Sequence, residues 1–423
     1  MNNSNPAFDL QIIPTKKFKT IRIEIRFAAP LARENSTPRA LLAALLETSS
    51  KKYPTQQALS TKLAELYGAT FGANVSRRGQ QHWLNLQLSI VNEKYLQEKG
   101  ILAQAVDLLK EIVFSPNITE DHFETAVFAR AKQNLKDYIA SLEEDKQSWA
   151  TLKIQEEYFA EQAQKVPAFG ALRDFVTLTP ESLVRTYREM LTHDKLTVAV
   201  LGDVDPEEIE LLFADFASLG DPQLKLPLFY AQDESNLIHE AQEEQPVIQS
   251  KLNLAYDTGI YYYDELYFPQ IVANALFGGS AVSKLFLNVR EKASLAYSIS
   301  SSSDVFRGCM FVQTGIDRKN RERVLRMVNE ELESLRRGEV ESETLKNIKR
   351  QLRNQFLIGQ DQIRTILDQN YLANIYPAAA ISTAEWLKRL EAVSIKEIQQ
   401  AAERWNLSAI YFLEGAGKNE ENI

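Results

Sequence analysis

Cysteine is almost missing from this chain: Cys309 is the only one in 423 residues. A single thiol cannot close an internal disulfide, so no disulfide framework holds the fold, and such usage fits a reducing compartment. Histidine is nearly as scarce. His82, His122, His193 and His239 stand far apart, and neither HxxEH nor HExxH occurs, so no two imidazoles lie on successive helical turns where both could face one ion. The Gly-Ser clusters at Gly278-Gly279-Ser280 and Ser298 to Ser303 lack the GxSxG elbow of serine hydrolases. Long apolar runs are absent too. The cleanest, Ala40 to Leu46, is far too short to span a bilayer, and the opening MNNSNPAFDLQIIPTKKFKT has no charged stretch followed by an apolar one, which leads us to expect a cytoplasmic protein. Nor is there an excess of positive charge. With 48 basic against 57 acidic side chains the net charge is −9, which argues against a phosphate-backbone partner, so nucleic acid is not expected as a ligand.

What is present is a repeated plan. The chain is too long for one hydrophobic core, which suggests two to four units. Leu84, Leu86, Leu88 and Ile90 alternate with Asn85, Gln87 and Ser89, the period of a strand with one wet face. An amphipathic helix follows through Ile101, Ala105, Leu108 and Ile112. Thr119 is then expected to cap a second helix with Phe123, Val127, Ala131 and Leu135 on its buried stripe. The same order returns 226 residues later. Met310, Val312, Thr314 and Ile316 alternate, with Gln313 where Gln87 stood, and helices carrying Val324 to Leu335 and Leu345 to Phe356 come next. Both halves close alike, with a helix and then a strand at Leu196 to Leu201 and at Ala409 to Leu413. Between them, residues 221–245 read as a linker, bounded by prolines and acidic from Asp233 to Glu244. The fold class expected is α+β: two tandem, homologous α/β-sandwich domains, 1–220 and 246–423, each an antiparallel-dominated sheet covered by helices.

Chemistry is harder to find. His122, in the expected first helical turn, and His193, before a strand, read as surface or half-buried structural histidines. Cys309 reads as a small core residue, since no histidine neighbours it in sequence. The basic cluster Arg318 to Arg326, interleaved with Glu322, reads as a solvated helix face.

One segment is far more specific, namely Leu276-Phe277-Gly278-Gly279-Ser280 through Leu285-Phe286, Arg290-Glu291-Lys292 and Leu295-Ala296-Tyr297. It closely resembles the second-domain signature of the pitrilysin/insulinase peptidases, the group that includes the mitochondrial processing peptidase, and the resemblance extends over nearly the whole chain. It implies half of a clamshell, in which zinc ligands sit on the first helix of one unit. Aligning the family's Lys-Lys-Tyr-Pro tail with Lys51-Lys52-Tyr53-Pro54 lays its His-x-x-Glu-His motif over Ala40 to Ala44, with Ala40 and Ala44 in the histidine positions and Ala43 in the glutamate position. The family's downstream glutamate ligand falls in Ala126 to Lys136, which holds no carboxylate. No metal or catalytic residue is therefore expected in this chain. Arg290 and Tyr297 match the family's Arg and Tyr, which hydrogen-bond the carbonyls of an extended substrate, so the resemblance implies a substrate-binding role for this pair.

The resemblance further implies the noncatalytic subunit of a two-chain zinc peptidase. A homologous zinc-binding subunit bearing HxxEH would supply the only metal, and this chain would grip an extended peptide from across the chamber. The likeness to the Gram-positive paired type points to peptide processing or to modification of elongation factor P. The alternative reading is a peptide-binding or scaffold protein with no part in proteolysis, and the isolated chain could also pair with itself.

Overall fold

Alternation through Leu84 to Ile90 does produce a strand, and its apolar members are shut away from water: Leu84, Leu86 and Leu88 are fully buried. A computed structural model describes residues 8–233 and 237–416, which fall into two units. The first runs to Ser141 and resumes over Val166–Leu228; the second takes Leu142–Lys165 and continues from Phe229. The strands of the first unit are β1 (Asp9–Pro14), β2 (Thr20–Pro30), β3 (Thr70–Arg78), β4 (Gln81–Val91), a short hairpin of β5 (Ile118–Thr119) and β6 (His122–Phe123), and β7 (Lys195–Gly202). Its sheet has the order β1-β7-β2-β4-β3, with β1 parallel to β7 and the other pairs antiparallel. The register sets Ile23 opposite Leu88 and Ile25 opposite Leu86, so one face is wholly apolar. The helices Arg33–Thr48, Ile101–Phe114 and Pro180–His193 contribute much of the rest of that core. Each such side chain stabilises the unit by roughly 1.5–3 kcal/mol on burial.

The second unit repeats the topology. Its strands β8 (His239–Gln245), β9 (Ser250–Asp257), β10 (Ala296–Asp304), β11 (Cys309–Ile316) and β12 (Asn406–Gly415) lie in the order β8-β12-β9-β11-β10. β8 runs parallel to β12, as β1 does to β7. Gln87 pairs with Glu24 on β2, and Gln313 pairs with Asn253 on β9, the equivalent strand. The expected α+β plan of two like units, each with a mostly antiparallel five-stranded sheet under helices, is what the chain forms.

Four local expectations give way. Glu120 and Asp121 adopt left-handed backbone angles, so Thr119 turns a hairpin instead of capping a helix. The helix begins at Thr125, its first-turn N–H groups at Ala126 and Val127 donating to the Glu124 carboxylate. His122 accordingly lies in β6, whereas His193, at the end of the helix Pro180–His193, is exposed just before β7 as expected. The stretch expected as a linker finishes in a strand, β8, while its residues 234–236 lie outside the described residues. Finally, the helix Lys146–Tyr158 belongs to the second unit, although its sequence precedes the end of the first. Ala150, Ile154, Tyr158 and Phe159 pack on Ala255, Cys309, Phe311, Ala409 and Tyr411, the face of the second sheet that the other helices leave open. Cys309 is buried there as a small apolar residue.

Candidate functional site

The helix Arg33–Thr48 carries the Ala40 to Ala44 stretch and is buried nearly all round, against β3, β4 and the Thr125–Ser141 helix. Ala40 is 6% exposed and Ala43 2%. Methyl groups stand at all three positions, and a methyl group has no lone pair for a metal and no proton to exchange. The carboxylate on the next turn, Glu47, accepts a hydrogen bond from the Ala73 backbone. The facing helix presents no carboxylate between Ala126 and Lys136. Among the described residues no group of three or more His, Cys, Asp or Glu could hold a metal ion. These residues do not fit a zinc ion.

Immediately before Ala40 the helix buries a charge. The Arg39 guanidinium donates to Asp194 Oδ2 (2.6 Å), to the Phe27 carbonyl (2.9 Å) and, through Nε, to His82 Nδ1 (3.0 Å). Because Nδ1 accepts, the ring proton sits on Nε2, which donates to the Ala168 carbonyl at 2.8 Å. Burial, with the Arg39 charge beside it, pushes the fully buried His82 down to about 3. Burial pushes the Asp194 carboxyl up, and Arg39 pulls against it. The network fastens the segment by which the chain re-enters the first unit. In that segment Gly170 has φ +85°, and a Cβ there would lie 1.8 Å from Thr37 Oγ1, so only glycine fits. The Thr37 hydroxyl donates in turn to Asp174 and accepts from the Ala171 N–H. Sequence reasoning missed this cluster, whose one signal was an arginine directly before an apolar run.

In the second unit the Gly-Gly signature ends the helix Tyr267–Phe277 against β10. A Cβ on Gly278 would come within 2.8 Å of the Ser301 backbone nitrogen, and the real contact is a hydrogen bond from that N–H to the Gly278 carbonyl at 3.1 Å. The next segment, Leu285–Lys292, winds as a π-helix with Leu285 and Val289 fully buried. Such widened turns recur at functional sites. Arg290 leaves it half exposed, its guanidinium 4.5 Å from the centre of the Phe286 ring and Nε 3.8 Å from Glu291.

Tyr297 lies on β10, which packs beside that segment and has a strand neighbour, β11, on one side only. Its ring is 60% exposed, and Ser298, Ser300 and Ser302 are exposed along the same strand. The Tyr297 hydroxyl donates to Asp317 Oδ1 at 2.9 Å, a bond that holds the phenol above its ordinary pKa. A phenol has one O–H. While Asp317 holds that proton, Tyr297 offers a ligand only its lone pairs, so donation to a peptide carbonyl requires an exchange of partner. The fold thus puts Arg290 and Tyr297 on adjoining elements at the rim of one sheet.

The sequence pattern described as Peptidase M16 inactive domain matches residues 177–352. A Bacillus subtilis (strain 168) protein named probable inactive metalloprotease YmfF is 33% identical over 419 residues, which span 98% of this chain and 97% of that one. From the same strain, a protein named uncharacterized zinc protease YmxG is 24% identical over 242 residues, 56% of this chain and 57% of its own. Among solved structures, a conserved protein from Enterococcus faecalis V583 superposes with a TM-score of 0.94 at 46% identity, covering 98% of both chains.

Proposed function

This chain belongs to the M16, or pitrilysin/insulinase, peptidase family as a noncatalytic homologue, and from that premise we propose that it is the peptide-gripping subunit of a two-chain zinc peptidase. The single observation that carries the reading is a contrast within one chain. Every position for a metal donor on the first-unit helix is a methyl, buried at Ala40 and Ala43 and half-buried at Ala44, while Arg290 and Tyr297 stand solvent-accessible at an edge strand. An edge strand presents backbone N–H and C=O groups to which an extended peptide adds as a further strand. A guanidinium and a phenol beside that edge suit its carbonyls. The metal and the activated water belong, in this reading, to a homologous subunit that carries HxxEH, and the two chains together close the chamber. The lone buried Cys309 suits work in the reducing cytoplasm.

The test is reconstitution. Pull-down from native extract should recover a relative of similar size with two histidines and a glutamate on its first helix. The purified pair should cleave extended peptides while neither chain does so alone. Arg290→Ala should weaken peptide capture by about tenfold and Tyr297→Phe by about threefold, the scale of one charge-assisted and one neutral hydrogen bond. Joint cleavage untouched by both substitutions would leave a scaffold protein instead. Sequencing the peptides trapped by the pair separates general peptide processing from a task confined to elongation factor P.

A further inference from the structure

The second unit holds a cavity of about 360 Å³ at the end of the helix Ser342–Gly359. Five aromatic side chains wall it: Tyr262, Tyr263, Tyr267, Phe356 and Trp386. They brace one another. Phe356 and Trp386 stack in parallel, 3.8 Å between centres, Tyr263 stacks on Tyr267 at 4.8 Å, and Tyr262 meets both tyrosines edge-on. Besides the phenols and Thr383, the polar part of the lining is carboxamide, from Gln360, Gln369 and Asn370, with Gln360 Nε2 donating to Gln369 Oε1 at 3.1 Å. Among the described residues no Asp, Glu, Lys, Arg or His lines it, and burial keeps the Tyr263 and Tyr267 phenols protonated.

That lining selects by chemistry. A carboxylate, phosphate or ammonium entering it would lose water without meeting a counter-charge, which is costly. Braced rings favour another planar ring, offset or edge-on, and carboxamides, which both donate and accept, complement an amide. The volume lies at the lower end of the range for ligand sites, room for one ring and its neighbouring amide. Ala380 in the lining is exposed, so the cavity opens to solvent there. Three carboxamides around one ring-sized space suit a ring flanked by two amides, which is the form an aromatic side chain takes in a peptide.

We propose that this cavity binds an aromatic residue of a peptide segment, ring inside and flanking amides on the carboxamides. It is a second peptide contact, separate from Arg290 and Tyr297, and it needs no partner subunit. The full chain alone is titrated, by saturation-transfer NMR, with acetyl-Gly-Tyr-Gly-amide, the cyclohexylalanine and lysine analogues, and N-acetyltyrosinamide. The tyrosine tripeptide should saturate, with the cyclohexylalanine analogue about fivefold weaker and the lysine analogue weaker still. Ala380→Trp, which plugs the lining at an exposed position, should abolish the signal at unchanged melting temperature, and Asn370→Leu should weaken it about fivefold. The signal needs no partner subunit, which separates this site from joint cleavage by the pair. Equal binding of the tyrosine and lysine peptides, saturation that survives Ala380→Trp, or no saturation at all would overturn the assignment. N-acetyltyrosinamide binding as tightly as the tripeptide would overturn the peptide as occupant in favour of a small aromatic amide.

Discussion

Acid should unfold the first unit through one side chain, His82. Its ring is fully buried, accepts from Arg39 and donates to Ala168, and its folded pKa is about 3 against an ordinary 6.5. Below pH 6.5 the unfolded chain takes up a proton that the folded chain refuses. The stability His82 contributes is therefore present above that pH and lost as pH falls toward 3. Each unit is about 1.4 kcal/mol, so stability falls by roughly 2.7 kcal/mol between pH 6.5 and 4.5, and by about 5 kcal/mol when the loss is complete. Asp194, pushed up by burial, acts in the opposite sense at the acid end, which makes a difference measurement necessary. His82→Gln keeps a polar group but cannot titrate. It should cost about 2 kcal/mol at pH 7.5 through imperfect hydrogen bonds, and it should remove the slope, so that the gap between the two proteins closes as pH falls from 6.5 to 5. Urea unfolding at half-unit steps, followed by a first-unit probe such as Trp83 fluorescence, reads this directly. Parallel stability curves for the two proteins would refute a neutral buried imidazole.

Three further outcomes are expected. Asp317→Ala frees the Tyr297 hydroxyl and should tighten peptide capture by the reconstituted pair about two- to fivefold, a gain that must vanish in Asp317→Ala/Tyr297→Phe; competition binding decides it. Rebuilding the metal motif as Ala40→His/Ala43→Glu/Ala44→His should lower stability, since Ala40 and Ala43 are packed and oversized side chains cost roughly 1–3 kcal/mol each. The rebuilt site should still retain less than one zinc per chain on dialysis, because Ala126 to Lys136 adds no carboxylate. Ile154→Ala, which empties a fully buried site under the second sheet, should cost roughly 2–5 kcal/mol. It should open the second unit to proteolysis while leaving first-unit fragments intact.

The sheets were legible because alternation survives in a single sequence. Leu84 to Ile90 and Met310 to Ile316 each display the period of the strand they form, and a constant offset between them pointed to equivalent strands in two like sheets. The helix Thr125–Ser141 was legible in its stripe but not in its start. Thr119 has the chemistry of a cap, and nothing local in the sequence shows that Glu120 and Asp121 would turn left-handed and fold a hairpin first. The destination of the helix Lys146–Tyr158 was out of reach for another reason. Its Ala150, Ile154 and Tyr158 announce a buried face, but periodicity does not say which sheet receives it.

The same asymmetry governs the site. The positions of Arg290 and Tyr297 follow from local signals, since a glycine where a Cβ would strike Ser301 and a run of packed apolar positions fix the turn, the π-helix and the start of β10. Arg39, His82 and Asp194 converge from three distant elements, so their partnership exists only once the sheet has formed. The alanines were legible for what they lack. Alanine is the substitution that removes a ligand while keeping helix propensity and a close-packed face, so the helix Arg33–Thr48 retains its place in the core through its Leu41, Leu42, Leu45 and Leu46 side chains. A helix that kept its packing but has no donors leaves the rest of the fold as it was, and the exposed rim of β10 stands in the second unit with its own core intact.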